Sequence, residues 1–186
     1  QIAAAGSSYV AAGYTPGNQS IGLLALSSDG VTWRVAPSPA PLPEMYSVAF
    51  GAGRFVAVGK AGALLHSIDG ATWSATTPLT TRDLRDVHFA NGRFVISGDA
   101  GVVLVSPDGL GWTNRSIATV ATLTYVVFHR DKWIAGNGSN LWTSPDADTW
   151  TSLPNSTARS GLNRMVSLGS DGVLAPASND TVYMSM

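Results

Sequence analysis

The sequence predicts an all-β fold, a β-propeller of about five blades, with four complete four-stranded blades and a three-stranded fifth. Three observations predict it. A heptapeptide recurs four times at near-constant spacing, a strand–turn–strand pattern precedes each copy, and helical periodicity is absent throughout.

The heptapeptide is Ser27-Ser28-Asp29-Gly30-Val31-Thr32-Trp33. It returns as Ser67-Ile68-Asp69-Gly70-Ala71-Thr72-Trp73, as Ser106-Pro107-Asp108-Gly109-Leu110-Gly111-Trp112, and as Ser144-Pro145-Asp146-Ala147-Asp148-Thr149-Trp150. The leading serines are 40, 39 and 38 residues apart. Upstream, residues 48–59 match residues 87–98 position by position, and residues 126–136 are a version one residue shorter. Residues 2–13 and 166–185 align to the same frame without a gap. In the second repeat, β-branched and aromatic runs bounded by Gly, Asn and Asp place strands at 47–51, 54–59, 63–67 and 72–76. Four short strands in about 40 residues is the length of one blade.

The repeats run at about 1–45, 46–84, 85–123, 124–162 and 163–186, within a single domain covering 1–186. The last one stops as a fifth heptapeptide would begin, so its third strand is expected to be an open edge through which copies could self-associate. A closed ring, with the first and fifth blades touching, is the expected shape.

The repeated Ser-x-Asp-Gly-x-Thr-Trp copies resemble the Asp-box, or BNR, repeats of sialidases, sortilin-like receptors and photosystem II assembly-factor propellers. The resemblance runs over nearly the whole chain and implies a propeller. It implies no particular chemistry, because those families share the repeat and little else.

Each repeated residue has a structural task. The Asp carboxylate and Ser hydroxyl can accept backbone N–H groups within their own turn, glycine permits the bend, and Trp supplies apolar area between sheets. Four equivalent carboxylates spread around a ring cannot converge on one substrate. Ser27, Asp29, Gly30 and Trp33, with Ser67, Asp69, Gly70 and Trp73, are therefore assigned to the scaffold. So are Ser106, Asp108, Gly109 and Trp112, and Ser144, Asp146 and Trp150. Ala147 replaces the glycine in the fourth copy, and an alanine is expected to avoid a positive φ there. Phe50, Phe89 and Phe128, with Phe55, Phe94 and Trp133, recur as a shared core layer. Arg54, Arg93 and Lys132 open each second strand and are expected to form a solvated ring.

Composition removes several functions. With 11 Lys+Arg against 12 Asp+Glu, the net charge of −1 offers no general field for nucleic acid or an anionic membrane. No apolar run is long enough to cross a bilayer. The absence of cysteine excludes disulfides, thiol catalysis and Cys-ligated zinc. His66, His88 and His129 occupy inequivalent repeat positions, so neither a metal nor any other cofactor is expected. The glycine run ending at Lys60 lacks both the spacing and the following Ser or Thr of a phosphate loop. A sialidase would need an arginine triad, a Tyr–Glu pair and about six blades, whereas Glu44 is the single glutamate here. A glycosidase needs two carboxylates at a fixed separation. No spacing singles out a pair among Glu44, Asp83, Asp86 and Asp99.

Binding residues are sought in the loops that vary between repeats. The connections between second and third strands, and those between blades, share the face opposite the heptapeptides, around the central channel. The charged run Arg82-Asp83-Leu84-Arg85-Asp86 stands out in a chain only 12% charged. Either it pairs internally and orders its loop, or it joins a polar ring at the channel mouth. The candidate ligand-binding residues are Glu44, Tyr46, Lys60, Arg82, Arg85, Asp86, Asp99, Tyr125, Asn137 and Arg164. The expected function is a non-catalytic recognition or scaffolding module for a protein or glycan, secreted or periplasmic. A glycosidase-like domain and a structural piece of a larger propeller are the alternatives. Five Asn-x-Ser/Thr sequons, at Asn18, Asn114, Asn137, Asn155 and Asn179, matter only in a host that glycosylates.

Overall fold

A computed structural model of the chain describes residues 1–17, 20–37, 41–137, 139–153, 166–167, 173–176 and 182–185. Their regular structure is almost entirely β. The first sheet contains β1 (Ile2–Ala5), β2 (Ser8–Tyr14), β3 (Gly22–Ser27) and β4 (Arg34–Val35). The second contains β5 (Met45–Gly51), β6 (Arg54–Gly59), β7 (Leu64–Ser67) and β8 (Ser74–Ala75). The third contains β9 (Leu84–Ala90), β10 (Arg93–Gly98), β11 (Val103–Ser106) and β12 (Thr113–Asn114). The fourth contains β13 (Tyr125–His129), β14 (Lys132–Gly136), β15 (Leu141–Ser144) and β16 (Thr151–Ser152). A three-stranded sheet follows, with β17 (Val166–Ser167), β18 (Val173–Pro176) and β19 (Val182–Ser185).

Every sheet is an antiparallel meander in chain order, and each first strand packs against the first strand of the next sheet. That is the blade arrangement of a propeller. The outermost strands are two residues long, shorter than expected, because the heptapeptide turn holds the chain almost as far as its Trp. Whether the fifth blade meets the first turns on residues outside those described.

The heptapeptide turn works as a self-contained clasp. In all four copies the Ser hydroxyl donates to its Asp Oδ1 at 2.9–3.0 Å. The same Oδ1 accepts the backbone N–H groups two and three residues on, for example Ala71 and Thr72 at 2.8 Å. These backbone donors hold the carboxyls of Asp69, Asp108 and Asp146 below the usual range, and that of Asp29 down to about 2.

Ala147 corrects the sequence expectation, for it takes φ +62° and the fourth clasp is intact. Its methyl group is fully buried in the cluster that contains Val95 and Trp133. Packing thus offsets the left-handed strain of about 1–2 kcal/mol. Gly70 has no such room, since a Cβ there would lie 2.6 Å from Val10 Cγ2 of the preceding blade. We expect Gly70→Ala to destabilise by about 2–3 kcal/mol through strain and overpacking together. Ala147→Gly, which trades strain for a lost methyl contact, should stay within about 1 kcal/mol. Thermal melts of the two variants check this, and equal midpoints would contradict it.

Among the described residues, three apolar clusters fill the spaces between the first four blades. Phe55, Phe94 and Trp133 are fully buried, each tilted against its partner Phe50, Phe89 or Phe128 at 4.8, 4.6 and 5.1 Å. The expected solvated ring of cations is not found. Arg54 and Arg93 are half-buried, because each lies against the clasp of the following blade. The Arg54 stem covers Gly109, and Arg93 Nη1 donates to the Asp146 carbonyl at 2.6 Å. Only Lys132 is exposed.

A polar thread runs along the innermost strands at one repeat position, occupied by Gln1, Ser47, Asp86 and Tyr125 in turn. Ser47 Oγ lies 2.5 Å from Gln1 Oε1 and 2.8 Å from Asp86 Oδ1, and it accepts the Val87 N–H. Asp86 Oδ2 accepts the Val126 N–H of the fourth blade at 3.1 Å. One buried carboxylate therefore ties three blades together.

Candidate functional site

The site is built on two matching irregularities of the innermost strands. In β5, Met45 pairs with Gly59 and Ser47 with Val58, so Tyr46 is an extra residue. In β9, Leu84 pairs with Gly98 and Asp86 with Ser97, so Arg85 is extra in the same way. Such bulges turn a side chain out of the ladder. Here they bring two bulged side chains together, with Arg85 Cζ 5.1 Å from the centre of the Tyr46 ring, a cation–π distance.

The residues just before each bulge, Glu44 and Asp83, and those just after each second strand, Lys60 and Asp99, complete the group. Lys60 Nζ donates to Glu44 Oε1 at 2.8 Å. The Tyr46 hydroxyl lies 3.0 Å from Glu44 Oε2 and 3.3 Å from Asp83 Oδ2. Asp83 Oδ1 accepts the Ala61 N–H of the neighbouring blade at 2.9 Å. Arg85 grips Asp99 with two parallel bonds of 2.8 and 2.9 Å and reaches Asp83 Oδ2 at 3.1 Å. The exposed Tyr14 ring meets Tyr46 edge-on at 6.1 Å. One continuous network thus crosses the second and third blades.

Mutual pairing sets its electrostatics. The Lys60 hydrogen bond, then that of Tyr46, holds the Glu44 carboxyl below its usual value. Arg85 does the same for Asp99. Burial first, then the Glu44 bond and the Asp83 charge, pushes the Tyr46 hydroxyl above the ordinary phenol range. Because the carboxyl pKa values are depressed, the ion pairs persist above the ordinary carboxylate range and are lost only as pH falls through the lowered values. At neutral pH the surface is ionised and fixed.

Of the ten candidates, Glu44, Tyr46, Lys60, Arg85 and Asp99 converge here. Arg82 is exposed beside them, and its charge helps to lower Asp99. Asp86 is buried in the interblade thread, and Tyr125 is fully buried with its hydroxyl donating to the Asn137 carbonyl at 3.1 Å. Asn137 closes its own loop, accepting the Ser139 and Asn140 N–H groups and donating to the Thr122 carbonyl. Arg164 lies outside the described residues. Sequence reasoning left Tyr14 out of the site and, although it weighed Asp83 within the charged run 82–86 and as a possible catalytic carboxylate, left it off the ligand-binding residues. The repeat frame carried a signal for Asp83, which occupies the same position as Glu44.

Among the described residues, no group of three His, Asp or Glu side chains is placed to hold a metal ion. No helix among them is long and apolar enough to cross a membrane.

No protein-family model matches the chain, and no curated protein sequence matches it. Solved structures do. YCF48 bound to D1 peptide superposes with a TM-score of 0.62 at 16% identity, covering 95% of this chain and 59% of that one. The extracellular domain of the putative one-component system BT4673 from B. thetaiotaomicron gives 0.70 at 9% identity, over 99% of this chain and 27% of that one. Virginiamycin B lyase from Staphylococcus aureus gives 0.68 at 10% identity, over 92% and 68%. The chain therefore spans about three-fifths of the first of these structures and about a quarter of the second. Sequence identity this low speaks to architecture alone, and the architecture shared with these structures is the β-propeller.

Proposed function

We propose that the chain is a non-catalytic recognition module of the Asp-box type, which binds a protein partner on its variable-loop face. The observation that carries this reading is the network of Glu44, Tyr46, Lys60, Asp83, Arg85 and Asp99. Six side chains from two blades are fixed by one another, leaving Tyr14, Arg82 and the Lys60 ammonium toward solvent. A surface already held in place loses little freedom on binding. A glycosidase general acid needs a carboxyl kept protonated near neutrality, and Glu44 and Asp99 are both shifted the other way. The peptide in the YCF48 structure belongs to that protein, and it supports protein binding here by analogy of fold. Low charge, no cysteine and the Asp-box resemblance support a bacterial envelope or extracellular setting.

Peptide and glycan arrays probed with the isolated chain, beside hydrolysis assays on sialosides, xyloglucan and aryl glycosides, test the proposal. The expected result is peptide binding without turnover, weakened at least about tenfold by Arg85→Ala, since hydrogen bonds to charged groups are worth about 1.5–3 kcal/mol. Turnover that vanishes on Glu44→Ala or Asp83→Ala would overturn it. Binding confined to glycans would move the partner class.

A further inference from the structure

In the second and third blades the residue that opens the second strand, Arg54 or Arg93, crosses to the clasp of the following blade. The Arg54 stem lies against Gly109, with Cδ 2.8 Å from where a Cβ would stand, and its charge helps to lower the Asp108 carboxyl. Arg93 Nη1 donates to the Asp146 carbonyl. Register fixes the equivalent position in the first blade. Tyr9 pairs with Ser27 as Phe55 pairs with Ser67 and Phe94 with Ser106. The residue before Tyr9, Ser8, therefore stands where Arg54 and Arg93 stand, and the clasp beyond it is that of Asp69.

The serine side chain is too short to cross. Between the two clasps lies a cavity of about 340 Å³ on the heptapeptide face, with Ser8, Leu26, Arg34 and Asp69 in its lining. The side chains nearest a Cβ at Gly70 come from Val10, Leu26 and Phe55, and none comes from Ser8. The clasp bonds to the Asp69 carboxylate all go to Oδ1. Its backbone carbonyl, the counterpart of the one that Arg93 meets, accepts no hydrogen bond among the described residues. Arg34 does not take the seat. It begins the outer strand β4, where the second blade has Ser74, and its exposed guanidinium has no hydrogen bond or ion pair among the described residues. A guanidinium fork can meet a carbonyl and a carboxylate together while its apolar stem lies along Leu26. An ammonium group is more strongly hydrated and offers no such fork.

We propose that this cavity takes the arginine side chain of a partner protein, seated against Asp69 in the place that Arg54 and Arg93 fill at the next two clasps. The contact lies on the face opposite the polar network and is independent of it.

The probe is an acetylated and amidated Gly-Arg-Gly peptide, titrated into the full chain and followed by amide NMR shifts. Shifts should centre on Ser8, Ser28, Asp69 and Gly70. Citrulline in place of the peptide arginine keeps the shape without the charge, and should weaken binding about fivefold, the upper range for an exposed ion pair. Ser8→Arg gives the first blade the residue that the next two carry. It should abolish the shifts and melt no earlier than the parent chain. Arg34→Ser, the residue of the second blade at that position, lifts a like charge from the rim and should tighten binding by up to about fivefold. Arg85→Ala should leave binding unchanged, whatever it does to ligands of the polar network. Absence of shifts at millimolar peptide, or equal binding of the citrulline peptide, would overturn the inference. So would a Ser8→Arg chain that still binds or melts markedly earlier, or loss of binding on Arg34→Ser.

Discussion

Trp73→Ala is expected to lower the stability of the folded chain by about 3–5 kcal/mol, the range for truncating a large buried aromatic residue. Trp73 is 5% exposed and belongs to the cluster between the first two blades, with Val10, Leu26 and Phe55. Its ring centre lies 6.5 Å from that of Phe55. Truncation removes the contact area and leaves a cavity that two rigid sheets cannot collapse into. It also strands the Gly70 carbonyl, which accepts the indole N–H. The other heptapeptide tryptophans, Trp33, Trp112 and Trp150, are only half-buried, so their truncation should cost visibly less. Asp69→Ala, which removes turn hydrogen bonds at an exposed position, should also cost less than Trp73→Ala. Thermal melts decide, and an unchanged midpoint for Trp73→Ala would refute the scaffold assignment.

Asp86→Ala should come next, at about 2–4 kcal/mol. The carboxylate is 7% exposed and accepts from Ser47 Oγ and from the Val87 and Val126 N–H groups. Removing it leaves buried donors unmatched, and each such group costs about 1–3 kcal/mol unless water enters. Asp86→Asn keeps the shape but turns one acceptor into a donor that faces another donor, so it should recover only part of the loss. Urea titration of both variants checks the order. A stability equal to that of the parent protein for Asp86→Ala would show that the interblade thread contributes nothing.

Much of the fold was legible because each blade states the same solution again. The Ser-x-Asp turn, the paired aromatics and the Gly-x-Phe hairpin entries recur in register, so one blade's strands could be checked against the next. The strand order within each sheet followed directly. What the repeats hid were contacts between blades. Arg54 and Arg93 look like solvent-facing cations within their own repeat, and only the neighbouring clasp shows why they are half-buried. Ala147 looks unsuited to its turn until the Val95 and Trp133 cluster that receives its methyl is seen.

The site was half legible for a related reason. Unusual charge drew attention to residues 82–86, but sequence could not say which of two adjacent groups, Arg85 or Asp86, faces outward. A single bulge decides it, since one extra residue reverses the side assigned to its neighbours. Arg85 turns to the surface, and Asp86 turns inward beside it.

The interblade thread also has a kinetic side. Within each sheet, pairing partners are close along the chain, so a blade can assemble by short, inexpensive loop closures. The bonds from Asp86 to Ser47 and Val126 instead join positions 39 and 40 residues apart, and form only when whole sheets come together. A first strand that slipped by one residue would present an apolar side chain to Ser47 and bury the Asp86 charge against a hydrophobic layer. Correct docking of three sheets is thus rewarded, and misregistered docking penalised, at a single carboxylate that acts late in assembly as a test of alignment.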